Sequence, residues 1–123
     1  MKNKILLVED DQTMLNLLET LFSLEGYEVY SVNQDEDYFD SVKQNEPDLV
    51  IMDVHLRKGK GVEISGFDLL RQLKEEPTLK DIKVIMLSGT DLRVESRMAG
   101  ADEFIIKPFM PDELTRKIEI LME

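Results

Sequence analysis

Short apolar runs recur along this chain, and each of them ends at a polar residue. The runs and the residues that follow them are 5–8 before Glu9, 50–52 before Asp53, 84–87 before Ser88 and 104–106 before Lys107. Runs of this length without polar alternation are typical of strands that are buried on both faces, as in the middle of a parallel sheet. A fifth segment, 27–32, alternates apolar and polar residues and predicts a strand nearer the edge of the sheet.

The segments between these strands carry apolar residues at helical spacing. The predicted helices cover 12–25, 35–45, 67–76, 92–99 and the chain from Pro111 onward. In the first helix the apolar stripe is broad, and we expect all of it, including Leu17 and Leu24, to face the core. Segment 57–66 has three glycines, three basic residues and no helical period, which favours a loop.

Five strand–helix pairs follow one another, which predicts an α/β fold with a parallel sheet, right-handed crossovers and helices on both faces. The length of 123 residues suits a single domain over 1–123. Because the chain stops within its last helix, we expect either a free-standing domain or one cut from a longer protein.

Charge and composition narrow the function. The chain has 15 Lys and Arg against 26 Asp and Glu, a net charge of −11, and no basic cluster, which argues against direct nucleic-acid binding. No apolar run approaches the roughly 20 residues of a membrane span. The first residues read as the start of a strand rather than a signal peptide, and cysteine is absent, so we expect a cytoplasmic protein without membrane attachment.

Carboxylates follow two of the predicted strands. Because the carboxyl ends of parallel strands meet at one edge of the sheet, Asp53 should lie beside Glu9, Asp10 and Asp11. Such a cluster is repulsive unless a cation intervenes. Oxygen ligands without His or Cys suit a hard divalent ion, for which Mg²⁺ fits best and Mn²⁺ is a substitute. Taken alone, the acidic run is equally well explained as the solvated start of a helix.

Ser88 and Lys107 should face the same edge. A Lys at a strand end is usually a surface residue and a Ser there a small turn residue, but beside a carboxylate cluster they can bind an anion. A nucleophilic Asp53, a Mg²⁺ site, a Lys and a hydroxyl together indicate phosphoryl transfer.

The motifs Leu7-Val8-Glu9-Asp10-Asp11, the strand-end Asp53, Ser88 and Lys107-Pro108-Phe109 resemble the receiver domain of two-component response regulators, including the chemotaxis receivers. The resemblance covers essentially the whole chain. It implies a flavodoxin-like doubly wound fold, with a five-stranded parallel sheet of order 2-1-3-4-5.

The same resemblance implies the role of each residue. Asp53 matches the phospho-acceptor, which takes a phosphoryl group from a histidine kinase or phosphotransfer protein. The resemblance therefore implies a signalling domain that phosphorylates itself rather than a classical enzyme. The expected Mg²⁺ ligands are Glu9, Asp10, Asp53 and the backbone carbonyl of His55. Lys107 matches the lysine that pairs with the phosphoryl group, and the bond before Pro108 should be cis. Ser88 and Phe104 match the switch residues, which pass the signal to the surface around the fourth helix, fifth strand and fifth helix.

Two features depart from the family. The switch aromatic is Phe104 where Tyr is usual, so the switch has no hydroxyl to present to a partner. Lys58 to Ser65 forms an insertion beside the phosphorylation site. One hypothesis is that Arg57, Lys58 and Lys60 meet an acidic partner or the phosphoryl donor; a tolerated surface loop is the better-supported alternative.

Three other functions compete with a phosphorylated receiver. A pseudo-receiver would bind partners without phosphorylation, but Asp10, Asp53 and Lys107 are all present. A phosphatase of the haloacid dehalogenase type needs a carboxylate two residues after its nucleophile, where this chain has His55. A flavin carrier needs a neutral or basic turn after the first strand, and here that turn is acidic.

Beyond the kinase, the expected partners are an output domain or a partner protein, and a second copy of the chain in a homodimer.

Overall fold

The computed structural model describes residues 3–32, 37–58 and 62–123. Its strands are β1 (Lys4–Val8), β2 (Glu28–Ser31), β3 (Leu49–Asp53), β4 (His55–Lys58), β5 (Val62–Ser65), β6 (Lys83–Ser88) and β7 (Glu103–Ile106). Its helices are α1 (Gln12–Leu24), α2 (Tyr38–Asn45), α3 (Gly66–Glu75), α4 (Arg93–Met98) and α5 (Pro111–Leu121).

Five strands form the main sheet, in the order β2-β1-β3-β6-β7, and every pairing between them is parallel. This is the predicted order 2-1-3-4-5, because β6 and β7 are the fourth and fifth strands of the main sheet. All of β3 is buried, as its unbroken apolar run predicted. The flavodoxin-like fold is therefore confirmed.

Helices cover both faces of the sheet. The strand residues alternate between two apolar clusters: Leu49 and Ile51 of β3 pack with α1 and α5, whereas Val50 and Met52 pack with α2 and α3. Burying one such aliphatic side chain contributes about 1.5–3 kcal/mol to folding. The sheet is therefore fixed from both sides, and Asp53 stands at the end of a strand that is buried throughout.

The first helix buries a narrower stripe than its sequence predicted. Leu15, Leu18 and Phe22 are buried, but Leu17 is 51% exposed and Leu24 is 82% exposed, so the expectation that they belong to the core was wrong. One face of a helix can lie against the sheet, and these two residues stand outside it.

Segment 57–66 is not the predicted loop. β4 and β5 form an antiparallel hairpin in which Leu56 pairs with Ile64 and Arg57 with Glu63. The glycines and basic residues of this segment obscured its alternation of inward and outward side chains. On the inward side, Leu56 is 1% exposed and Ile64 packs against the core. Residues 59–61 and the side chain of Lys58 lie outside the described part of the chain, so the hypothesis on the basic residues of this segment stays a prediction.

The second helix begins at Tyr38, where the carboxylate of Asp37 caps it by accepting a hydrogen bond from the Asp40 amide at 3.1 Å. The predicted start at 35 falls among residues 33–36, which lie outside the described residues. Within the described ranges, none of the helices has the length and apolar character needed to cross a membrane.

Candidate active site

The register of the sheet brings the predicted site residues to one edge. Val8 pairs with Met52, so Glu9 follows β1 beside Asp53, and Asp53 itself pairs with Leu87. On the far side Ser88 pairs with Ile106, so Lys107 follows at the same edge. The four strand ends meet as the sequence predicted.

Glu9, Asp10 and Asp53 form the acidic cluster. Each offers a carboxylate oxygen, and these oxygens lie within 4.8 Å of one another; Glu9 and Asp53 are buried and Asp10 is half-buried. Asp11 has a different role, because its carboxylate caps α1 by accepting from the amides of Thr13 and Met14 at 3.0 and 3.2 Å. Asp11 therefore marks the helix start, and the geometry that suits a metal ion is that of Glu9, Asp10 and Asp53.

Lys107 is the cation of the cluster. Its Nζ donates to Asp53 Oδ2 at 2.6 Å and to Glu9 Oε2 at 3.0 Å. The peptide bond from Lys107 to Pro108 is cis, as expected, and the Lys107 amide donates to the Ser88 carbonyl at 2.8 Å. One ammonium group thus faces two of the three carboxylates of the cluster.

Asp53 is held by the start of the hairpin. The His55 amide donates to Asp53 Oδ1 at 3.0 Å, and the Gly66 amide donates to the Val54 carbonyl at 2.6 Å. A Cβ atom at Gly66 would lie 2.3 Å from the Asp53 carbonyl oxygen and 3.0 Å from the Val54 Cα. Glycine at 66 is therefore required for α3 to begin this close to the end of β3.

The electrostatics of the cluster are unbalanced. Burial, and next the charge of Asp53, raise the pKa of Glu9 to about 7, although Lys107 opposes the shift. Burial lowers the pKa of Lys107, but its hydrogen bonds and charge interactions with Asp53 and Glu9 outweigh that and raise it overall. A cation bound beside Glu9 would lower this raised pKa, so cation binding favours release of the Glu9 proton.

This shift predicts a pH-dependent stability. The folded chain holds a proton on Glu9 between its unfolded pKa of 4.5 and about 7, so the free energy of unfolding should fall as the pH rises through that window. The loss amounts to about 3 kcal/mol at most. Urea denaturation in EDTA from pH 4.5 to 7.5 should show this fall for the wild type relative to Glu9→Gln. A constant difference between the two proteins would refute the prediction.

Ser88 and Phe104 occupy their expected places. Ser88 is fully buried, and its hydroxyl oxygen accepts from the Thr90 amide at 3.2 Å. Phe104 is 6% exposed and packs in the core cluster on the α2 and α3 side of the sheet. The aromatic ring is therefore already turned inward in this structure.

His55 lies at the mouth of an open cleft. The cleft, of about 770 Å³, runs between the acidic cluster and the hairpin and is also lined by Asp10, Ile64, Phe67 and Leu92. Because Val54 and Gly66 are bonded, the alternation of an antiparallel ladder makes His55 and Ser65 a non-bonded pair. The His55 carbonyl consequently points away from β5, a direction compatible with the ligand role that the resemblance implies for it.

One contact of the site was missed in the sequence. Tyr38 is a buried residue of α2, and its hydroxyl donates to the Arg57 carbonyl of β4. A hydrogen bond between residues 19 positions apart leaves no trace in local periodicity. A tyrosine, rather than a second phenylalanine, at a buried helix position was the only available signal.

The family model described as "Response regulator receiver domain" matches residues 5–119. Among curated proteins, the transcriptional regulatory protein GltR of Pseudomonas aeruginosa is 36% identical over 121 residues, which cover 96% of this chain and 48% of that protein. The chain spans about half the length of the curated relatives it matches.

Solved structures show the same fold. The receiver domain of a signal transduction histidine kinase from Syntrophus aciditrophicus has a TM-score of 0.82 and 33% identity, covering 98% of this chain and 89% of that one. The receiver domain of a sensor histidine kinase from Pseudomonas aeruginosa PAO1 has a TM-score of 0.83 at 23% identity, covering 99% and 98%. That second structure has a magnesium ion coordinated in its active-site cleft.

Proposed function

This chain belongs to the response regulator receiver domain family of two-component systems, and on that premise we propose that Asp53 is its phospho-acceptor. The observation that carries the proposal is the 2.6 Å contact between Lys107 Nζ and Asp53 Oδ2, on a buried carboxylate that two further carboxylates adjoin. An aspartate on the surface or at a helix cap does not require a buried position beside a lysine and two further carboxylates. The donor is a phosphohistidine on a histidine kinase or phosphotransfer protein.

In the proposed reaction an oxygen of Asp53 attacks the phosphorus. The bond from phosphorus to the donor nitrogen breaks, the donor imidazole takes up a proton, and Asp53 becomes an acyl phosphate. Lys107 neutralises charge on the phosphoryl oxygens, which is the main way in which proteins assist phosphoryl transfer. Asp53 is consumed in stoichiometric amount, so the chain is not proposed to be a classical enzyme.

A divalent cation fits the donor set. Glu9, Asp10, Asp53 and the His55 carbonyl would hold Mg²⁺, and Mn²⁺ should substitute because both ions prefer oxygen ligands. When bound, the ion supplies positive charge to the transferring phosphoryl group. The three carboxylates and one ammonium group leave a net charge of −2 when all are ionised, which a divalent cation would balance, and the pKa of about 7 at Glu9 supports the fit.

Phosphorylation would be read at a distance from Asp53. The acyl phosphate adds charge and acceptor oxygens, which the Ser88 hydroxyl and Lys107 can bind. Ser88 ends β6 and Lys107 directly follows β7, next to the surface formed by α4, β7 and α5, in which Phe104 is buried. An output domain or partner protein, or a second copy of the chain in a homodimer, would bind there. The proposal retains the cytoplasmic location and the absence of direct nucleic-acid contact expected from the sequence.

Incubation with acetyl phosphate tests this proposal without knowledge of the kinase. The intact mass should rise by one phosphoryl group in the presence of Mg²⁺ and should not rise in EDTA. Circular dichroism of the same sample controls for folding. A folded, Mg²⁺-binding protein that gains no mass would support the alternative, a pseudo-receiver that binds partners independently of phosphorylation.

A further inference from the structure

The β4–β5 hairpin is tied to α2 by one side chain. Tyr38 is 6% exposed, and its hydroxyl donates to the Arg57 carbonyl. Burial, and then the charges of Asp10 and Glu9, raise the pKa of Tyr38, so the hydroxyl keeps its proton and remains a donor. The Tyr38 hydroxyl is therefore a protonated donor that binds the hairpin and is subject to the negative charge of the acidic cluster.

The carbonyl that Tyr38 binds is related to the one at the active site. His55 and Arg57 are two positions apart on β4. They stand opposite Ser65 and Glu63 of β5 at positions where the ladder has no backbone hydrogen bonds, so their carbonyls point away from β5. Carbonyls two residues apart in a strand point to the same side. The outer edge of β4, away from β5, thus carries both carbonyls: that of Arg57 accepts from Tyr38, and that of His55 lies on the side where the His55 amide donates to Asp53 Oδ1.

Other contacts fix this strand only in part. At its base the Gly66 amide binds the Val54 carbonyl, and the Leu56 side chain is buried in the core. These contacts hold the hairpin to the domain, but neither acts on the outer edge of β4. Within the described residues, the hydrogen bond from Tyr38 is the one that binds that edge beyond His55.

We propose that Tyr38 is a positioning residue for the metal site, because by binding the Arg57 carbonyl it fixes the edge of β4 that offers the His55 carbonyl to the cation. This inference rests on the proposed function, from which it takes the ligand role of His55. It gives α2 and the inserted hairpin a part in the chemistry at Asp53. The same tether holds the His55 amide against Asp53 Oδ1.

Two measurements on the full chain test it, with wild type, Tyr38→Phe and Tyr30→Phe. Phenylalanine keeps the buried ring and removes only the hydroxyl. Tyr30→Phe is the matched control, because the Tyr30 hydroxyl binds Glu28 on the exposed strand β2 at 2.9 Å. The first measurement is amide hydrogen exchange in EDTA, and the second is Mg²⁺ affinity by calorimetry.

In Tyr38→Phe the amides of His55 and Leu56 should exchange about tenfold faster, as expected for the loss of a buried hydrogen bond, whereas those of Ile51 and Ile85 should not change. The dissociation constant for Mg²⁺ should rise about tenfold, the lower end of the range for outer partners of metal ligands. Replacing Tyr38 with 4-aminophenylalanine, which restores a donor, should reverse both effects. Tyr30→Phe should match the wild type.

Three results would overturn the proposal. Tyr38→Phe could match Tyr30→Phe, only one of the two quantities could change, or exchange could accelerate equally in β3 and β6, which would mean a general loss of stability. Failure of the proposed function itself looks different: the wild-type chain would then fail to bind Mg²⁺ or to gain a phosphoryl group, whatever the Tyr38 variant does.

Discussion

The Lys107→Met variant is expected to acquire a phosphoryl group from acetyl phosphate about a hundredfold more slowly than the wild type at saturating Mg²⁺. Lys107 Nζ lies 2.6 Å from Asp53 Oδ2, so it stands beside the position that the negatively charged phosphoryl oxygens occupy as the group arrives. Methionine fills similar space but supplies no charge. The rate of mass gain, followed by intact-protein mass spectrometry, measures the effect.

Lys117→Met is the control for this variant. It makes the same change in a lysine whose ion pair, with Glu103 at 3.4 Å, lies near the surface on α5. Its rate should stay within about twofold of the wild type, because a pair of this kind contributes little. Equal rates for the two variants would contradict the role assigned to Lys107.

Gly66→Ala is expected to lower the free energy of unfolding by about 3 kcal/mol, because overpacking against backbone cannot be relieved by a rotamer change. The added Cβ would lie 2.3 Å from the Asp53 carbonyl oxygen. Helix propensity alone predicts the opposite sign, a gain of about 1 kcal/mol for alanine over glycine. Urea denaturation at equilibrium distinguishes the two by the direction of the change.

Gly89→Ala provides the comparison. A Cβ at Gly89 has nothing within 4 Å, and the residue is exposed. Its stability should be unchanged or raised by up to about 1 kcal/mol. If Gly66→Ala behaved in the same way, the close approach of α3 to the end of β3 would not be a constraint on the site.

The main sheet and the site could be predicted from the sequence for a single reason. Unbroken apolar runs mark strands buried on both faces, and the residue after each run then lies at a common edge. This pattern alone predicts that Glu9, Asp53, Ser88 and Lys107 lie together. The structure assigns Asp11 to the cap of α1, which the acidic run alone did not distinguish from a ligand role.

Other features depend on contacts that a local pattern does not contain. The hairpin was missed because glycines and basic residues outweighed the alternation around Leu56 and Ile64. Leu17 and Leu24 were assigned to the core because periodicity does not show how wide a face the sheet will cover. Tyr38 and Gly66 act through partners distant in sequence, so their importance appears only once the hairpin is placed beside α2 and β3.

Locating the phosphoryl group tests the central claim most directly. After incubation with acetyl phosphate and Mg²⁺, borohydride reduction converts an aspartyl phosphate into homoserine, and tandem mass spectrometry of the peptides identifies its position. We expect homoserine at position 53 in the wild type, at no other position, and none in Asp53→Asn. Homoserine at position 10, a reduced glutamyl phosphate at position 9, or unchanged labelling of Asp53→Asn would contradict the assignment of Asp53 as the phospho-acceptor.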